Sequence, residues 1–443
     1  MSNTMLEVGQ ELRTELGNSC EIKQLLGIGS QGEVYQAIVA GMPMALKWYF
    51  PRFATPQQRQ ALELLITRGA PTHRFLWPVE LVSAPGLDGF GYLMALRDPH
   101  HKSLMDLMTR RIKKPEPTFR TLATAGLHLA DSYFQLHTMG LCYRDISFGN
   151  VFFEPEMGEV LICDNDNVTI DKSPTSEVLG TSHFMAPEIV RSEALPSTKT
   201  DLFSLAVLLF YMFMFHHPLE GKREANIHVF DATAMAKIHG YEPLFIFDPH
   251  DHSNAPVPGY QDNPLILWPI YPQFLRGLFT RSFTDGLRDP DNGRVRENEW
   301  RTALVRLRDS IFYCPHCKAQ NFYDVEALKL SGGKPAPCWQ CKCQVQLPFR
   351  IRIGDNVIML NQDTKLYPHH INTQTRWDFS QPVAEVTRHP TDPTRRGLKN
   401  LSQDRWVLVK PDGSMQDVES GKNAALVAGN KIQFGTTEGE IRY

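Results

Sequence analysis

The spacing of apolar residues changes along the chain, and the changes mark its parts. From Glu21 to Val34 apolar runs sit around glycines, Ala45 to Phe50 is a short run of strand type, and Thr55-Pro56 opens a helical pattern reaching about Arg68. Val79 to Val82 and Gly91 to Leu96 add two more strand patterns, so this region predicts a small β-rich lobe with one helix. Helical spacing then takes over in Phe119 to His137, Asp201 to Phe215 and Trp300 to Ile311, which predicts a larger helical lobe. The run Leu202 to Phe215 is shorter than the ~18 residues expected of a membrane span and reads as a buried helix. Tyr241 to Pro272, dense in Pro, Asn, His and Asp, reads as an ordered excursion or loop. From Leu347 to Tyr443 short β-type runs, among them Phe349 to Ile353, Trp406 to Val409 and Lys431 to Phe434, alternate with turn signals such as Pro411-Asp412-Gly413. That pattern predicts an all-β module.

Length agrees with this division: 443 residues suit about three domains at roughly 150 residues each. No internal repeat of 20 to 50 residues supports a solenoid. Lys and Arg total 46 against 49 Asp and Glu, a net charge of -3, which argues against a protein that coats nucleic-acid phosphates. Met1 to Gly17 carries Glu7, Glu11 and Glu15 and no apolar core behind a basic cluster, so neither a secretory signal nor a membrane partner is expected. Cys314, Cys317, Cys338, Cys341 and Cys343 crowd together while Cys20, Cys142 and Cys163 are scattered. Without an export signal, that crowding favours metal over disulfides and a cytoplasmic location.

Gly27, Gly29 and Gly32 fall at the turn of the first strand pair, where missing Cβ atoms let backbone approach phosphates. The same spacing marks dinucleotide folds, but there a helix follows the last glycine, and here Glu33 to Ala37 has strand character. Lys47 lies on the next strand, and the following helix has a single carboxylate, Glu63, of the kind that positions such a lysine. Farther on come Tyr143-Arg144-Asp145-Ile146-Ser147-Phe148-Gly149-Asn150 and Cys163-Asp164. They supply a carboxylate for an acceptor hydroxyl, then an amide oxygen and a second carboxylate of the type Mg2+ prefers.

These residues, with Gly180 to Ala186-Pro187-Glu188, Asp201 and Arg294 as ion-pair partner of Glu188, resemble a eukaryotic-type Ser/Thr protein kinase over about residues 21 to 308. The resemblance implies a bilobal fold, with a small lobe of about 21–96 after an N-terminal extension of residues 1–20, and a large lobe of about 97–308. It implies ATP under the glycine loop, Lys47 on its α and β phosphates and paired with Glu63, and Val34, Ala45, Ala95 and Leu96 among the nucleotide-binding positions. Asp145 would orient or deprotonate the acceptor hydroxyl, and Asn150 and Asp164 would hold Mg2+ or Mn2+. Arg144 resembles the arginine that senses a phosphorylated activation loop, with Thr169, Ser173, Thr175, Ser176 and Thr181 as hydroxyls in that segment and Thr181 read as structural. The chain departs from the family in three places. Tyr143 stands for a histidine and Ser147 for a lysine, and Asp164-Asn165-Asp166 stands for Asp-Phe-Gly, which argues against a conventional flip of that motif.

Cys314-x2-Cys317 and Cys338-x2-Cys341, twenty residues apart, have the spacing of a closed four-thiolate Zn2+ site, so residues 311–346 predict a structural zinc ribbon. Cys343 and His316 are alternative ligands. Gly397 to Ser402, Trp406 and Gly429 to Gly435 resemble a degenerate forkhead-associated domain, a β-sandwich over residues 347–443, although Met359-Leu360-Asn361 lies where that family carries its Gly-Arg. The expected fold class is therefore multidomain α+β: kinase lobes, ribbon, sandwich. This combination resembles bacterial kinases that occur in triads with a von Willebrand A protein and a PP2C phosphatase. The resemblance implies a protein substrate, the von Willebrand A partner, and the phosphatase as antagonist. A nucleotide-binding pseudokinase scaffold and, less well matched, a small-molecule kinase stay open on these residues.

Overall fold

In the computed structural model residues 5–443 are described, apart from 85, 87, 88, 113, 173–178, 390, 393 and 394. Two compact units share the chain: residues 1–267 with 277–301, and residues 268–276 with 302–443.

The first unit begins with a closed antiparallel barrel of β1 (Glu11–Thr14), β2 (Ser19–Ile28), β3 (Gly32–Val39), β4 (Met42–Tyr49), β5 (Glu80–Ser83) and β6 (Gly91–Ala95), in the order β1-β2-β3-β4-β6-β5. The extension expected over residues 1–20 is thus corrected in part: β1 pairs with both β2 and β5 and closes the barrel. Its Leu12 and Thr14 alternate inward over only four residues, too short a pattern to stand out in sequence.

Strand alternation gives β4 two different faces. Leu46 and Trp48 join Tyr35, Ala37, Val82 and Leu93 in one buried cluster, while Ala45 and Tyr49 pack with Leu62, Leu81, Tyr92 and Met94 in another. Lys47 lies on the second face, directly opposite Tyr92 of β6. Helix α1 (Pro56–Arg68) starts where the Thr55 side chain accepts a hydrogen bond from the Gln58 N–H and Pro56 fits the first turn. It buries Leu62 and Leu65, so its inner face runs through Gln58, Leu62 and Leu65.

Helices Phe119–Thr138 and Thr198–Met214 form the centre of the helical lobe, most of their residues being buried. Tyr241 to Pro272 is ordered: Asn254 is buried and donates to the Leu219 and Leu244 carbonyls.

In the second unit a hairpin, Ile311–Tyr313 with Gln320–Phe322, is followed by helix Val325–Leu330. Two antiparallel sheets follow. Six strands run in the order Asn356–Met359, Arg350–Ile353, Glu438–Arg442, Lys431–Gln433, Trp406–Val409, Met415–Val418; the other four run Lys365–Leu366, Ala384–Arg388, Arg396–Asn400, Asn423–Ala425. Ile351, Trp406, Leu408, Ile432 and Ile441 of the first sheet share one core with Leu366, Ala384, Leu398 and Ala424 of the second, so the predicted all-β module is present as two packed sheets.

Candidate active site

The glycine turn joins β2 and β3, with Gly27 opposite Val34 and the Gly29 N–H donating to the Gly32 carbonyl at 2.8 Å. Two of the three glycines differ in what surrounds them. A Cβ on Gly32 would lie 2.2 Å from the Trp48 carbonyl oxygen, so that position is fixed by the close approach of β4. One on Gly27 would meet nothing within 4 Å, which leaves the room a phosphate needs.

Asp201, in the first turn of helix Thr198–Met214, accepts the backbone N–H groups of Tyr143 and Arg144 and so fixes the loop that carries Asp145. Arg144 takes a left-handed φ of 72° there, a strain that recurs at functional loops. Asn150 donates through Nδ2 to the Asp145 backbone oxygen at 2.8 Å and to its Oδ2 at 2.9 Å, leaving the Asn150 amide oxygen for a metal. Thr181 donates to Asp145 Oδ1 at 2.7 Å, in keeping with a structural hydroxyl. The Cys163 N–H donates to the Asn150 carbonyl and brings Asp164 alongside, and Asp164 has a left-handed φ of 51°.

Lys47, Asp145, Asn150 and Asp164 therefore meet in one place, with Lys47 Nζ 3.6 Å from Asp164 Oδ1. Burial raises the Asp164 carboxyl above its usual range; Lys47 opposes this, and Asp166 and Asp145 add to it. A partly exposed carboxylate crowded by two others, beside a free amide oxygen, is an oxygen donor set that fits Mg2+.

Glu63 is not part of this group. It is exposed and binds Arg59 at 3.0 Å, one residue out of phase with the buried Leu62. The carboxylate on Lys47 is Asp166, with oxygens 2.8 and 3.0 Å from Nζ. Its side chain is 0% exposed and also accepts from the Tyr49 hydroxyl at 2.6 Å and the Tyr92 hydroxyl at 3.0 Å. Burial alone would push the Asp166 carboxyl up, but the Lys47 charge and these three donors hold it below its usual range. The pairing of Asp166 with Lys47, Tyr49 and Tyr92 escaped the sequence reading, in which Asp166 stood in the place of a glycine. The available signal was Tyr49 two residues after Lys47, on the same strand face.

The other predicted positions fall as follows. Val34 and Ala45 flank the apolar face beside Leu96, and Ala95 ends β6. The Tyr143 ring packs edge-on to Tyr133 at 5.6 Å and its hydroxyl donates to the Cys163 carbonyl, while Ser147 is buried. Arg144 donates through Nε to the Asn167 carbonyl. Glu188 pairs with Arg294 at 2.8 Å. Thr169 lies in a short strand, Thr169–Ile170, whereas Ser173, Thr175 and Ser176 lie outside the described residues.

In the second unit Cys314, Cys317, Cys338 and Cys341 converge, with all four sulfurs within 4.8 Å of one another. Cys314–Cys341 and Cys317–Cys338 are each 3.6 Å apart, close to the ~3.8 Å edge of a tetrahedron with Zn–S bonds of about 2.3 Å. The Asn321 side chain donates to the Cys338 sulfur, a contact that orients a ligand from outside the metal shell.

A lysine on a barrel strand facing a loop Asp-Asn pair and a metal-loop Asp, with helical-lobe anchors at Asp201 and Glu188–Arg294, is the arrangement of the protein kinase class. The protein kinase domain family matches residues 20–256, more than half of the sequence, and the chain belongs to that family. It is similar to the ribosomal protein S6 kinase alpha-4 of Mus musculus, 36% identical over 100 residues, which are 21% of this chain and 13% of that protein. Serine/threonine-protein kinase plk-2 of Caenorhabditis elegans is 28% identical over 128 residues, 27% of this chain and 19% of that one. A putative serine/threonine-protein kinase/receptor R831 of Acanthamoeba polyphaga mimivirus is 23% identical over 218 residues, 47% of this chain and 13% of that one. The chain thus spans less than a fifth of the length of these relatives. Among the described residues no helix is long and apolar enough to cross a membrane.

Proposed function

We propose that the protein is an ATP- and Mg2+-dependent Ser/Thr protein kinase that transfers the γ-phosphate to a hydroxyl of a partner protein and to its own chain. The observation that carries this reading is the meeting of Asp145, Asn150, Asp164 and Lys47 in one place, with Lys47 Nζ 3.4 Å from the Gln31 amide oxygen of the glycine turn. Asp145 receives the acceptor hydroxyl hydrogen as that oxygen bonds to phosphorus and the bond to the ADP oxygen breaks. Asn150 and Asp164 are the residues that would hold Mg2+, which when bound offsets charge on the phosphates. Lys47 holds the α and β phosphates. No protein nucleophile is needed.

The second unit is read as the docking part, a zinc ribbon followed by a forkhead-associated-like sandwich. It contains a cavity of about 760 Å³ whose lining includes Lys318, Arg388, Arg396 and Tyr313. Three cationic side chains stand there against one carboxylate side chain, Asp363, which accepts from the Tyr313 hydroxyl at 2.6 Å; the positive excess suits an acidic or phosphorylated segment and supplies arginines that the sequence reading did not find. Asn361, where an arginine was sought, donates to the Ile311 carbonyl and is structural. A von Willebrand A protein as substrate and a PP2C phosphatase as antagonist complete the reading, on the strength of the domain combination alone.

The test is transfer of labelled γ-phosphate to the chain itself, to a basic protein and to the von Willebrand A candidate, for wild type and Asp145→Asn. Label that disappears in the variant is the expected outcome. A wild type that binds ATP yet labels none of the three would replace the kinase with a nucleotide-binding scaffold.

A further inference from the structure

A phosphate-binding lysine on a strand needs a carboxylate to hold it, and in protein kinases the small-lobe helix supplies one. Here Glu63 is that helix's sole carboxylate, and helical phase keeps it away. Successive residues turn by about 100°, so bringing Glu63 inward would expose Leu62 and Leu65, which are 0% and 1% exposed. Gln58, the polar residue on the inner face, is spent on the Tyr49 hydroxyl at 3.0 Å.

We propose that Asp166 is the positioning residue for Lys47 in place of the helix carboxylate, so that α1 does not gate the site. This deepens the kinase reading and rests on it.

Three features of the molecule support the assignment. Asp166 meets Lys47 with both oxygens, and its remaining capacity is taken by Tyr49 and Tyr92, two residues of the same sheet face as Lys47. A buried charge pair of this kind is stable only when its other lone pairs are satisfied, and here they are. The loop that carries Asp166 is itself fixed. Asn165, in the position of the family's phenylalanine, donates to the Leu76 and Ile162 carbonyls at 2.8 and 3.0 Å, and Arg144 donates to the Asn167 carbonyl. Finally, Asp164 lies two residues before Asp166 on this short turn, so the lysine anchor and the metal ligand belong to one rigid segment. In kinases the two are separate parts that have to be brought together. Besides Asp166, the groups facing Lys47 are Asp164, Cys163 and the Gln31 amide oxygen at 3.4 Å.

The full chain is assayed as wild type, Asp166→Asn, Glu63→Gln, Lys47→Met and the Lys47→Met/Asp166→Asn double variant. Phosphate transfer gives kcat, and urea unfolding without nucleotide gives midpoints. The expected result is at least a tenfold loss of kcat for Asp166→Asn, less than twofold for Glu63→Gln, and no additional loss when Asp166→Asn is placed on Lys47→Met. The urea midpoint falls in Asp166→Asn, which leaves the buried Lys47 with only the more distant Asp164 carboxylate at 3.6 Å, and recovers in the double variant. A kcat loss in Glu63→Gln equal to that of Lys47→Met would overturn the proposal, and so would an Asp166→Asn cost that is undiminished in the Lys47→Met background. Failure of wild type to transfer phosphate falls instead on the kinase reading. The urea cycle separates the two failures, because it measures the Lys47–Asp166 pair without ATP.

Discussion

A single atom distinguishes two of the glycines in the nucleotide turn. Because a Cβ at Gly32 would sit 2.2 Å from a backbone oxygen of β4, Gly32→Ala is expected to lower unfolding free energy by about 1–3 kcal/mol, the usual cost of forcing an atom into a packed site. Gly27→Ala has space and is expected to change stability by less than about 0.5 kcal/mol while raising KM for ATP. Urea unfolding and initial-rate kinetics on both variants check the pair, and equal stability losses would contradict it. Residue identity alone made much of the site readable. The roles proposed for Asp145, Asn150 and Asp164 come from the resemblance of their short motifs to the kinase signature, and the structure brings these residues together. Glu63 was chosen because it was the one carboxylate available, and composition carries no phase; the buried positions Leu62 and Leu65 decide which way it points. Asp166 was illegible for a related reason. Its partners on β4 and β6 lie about 75 to 120 residues away, and only folding shows that three donors converge on it.

Among the elements, helix Phe119–Thr138 is joined to the catalytic loop through His137 in its last turn. Burial would lower the His137 imidazole, but hydrogen bonds and charge from Asp201 and Glu297 outweigh it and raise it to about 9. Its Nε2–H donates to Asp201 at 3.1 Å, and Asp201 in turn holds the Tyr143 and Arg144 N–H groups. A folded-state pKa above the ordinary 6.5 stabilises fully below about pH 6.5 and is lost as pH rises toward 9. The contribution amounts to roughly 3 kcal/mol at most, at 1.36 kcal/mol per unit. Melting temperature measured from pH 6 to 10 is therefore expected to fall more steeply in wild type than in His137→Asn, and parallel curves would exclude the linkage. Long helices and the β-rich start were visible as periodicity, whereas β1 was not, since its four residues gain their place from pairing with β2 and β5.

At the scale of the whole molecule, the two units have different requirements. The second is expected to hold one Zn2+ per chain on its four cysteines. Structural zinc contributes on the order of 10 kcal/mol in small zinc peptides at neutral pH, so chelation or Cys314→Ser should destabilise this unit while the ATP-stabilised transition of the first persists. Metal analysis with calorimetry checks this, and a metal-free chain with an unchanged profile would refute it. The four cysteines were legible because two short spacings bring them together locally, while the cavity lined by Lys318, Asp363, Arg388 and Arg396 is assembled from distant segments and was not. The fixed loop at Asn165 also has a pharmacological side. Compounds that gain affinity from the space left when an apolar side chain swings out of such a loop would meet the Asn165 amide there, bonded to two carbonyls. Useful ligands for this cleft are instead those that offer Lys47 an acceptor without uncovering Asp166, a chemical demand that separates this protein from kinases built around a mobile phenylalanine.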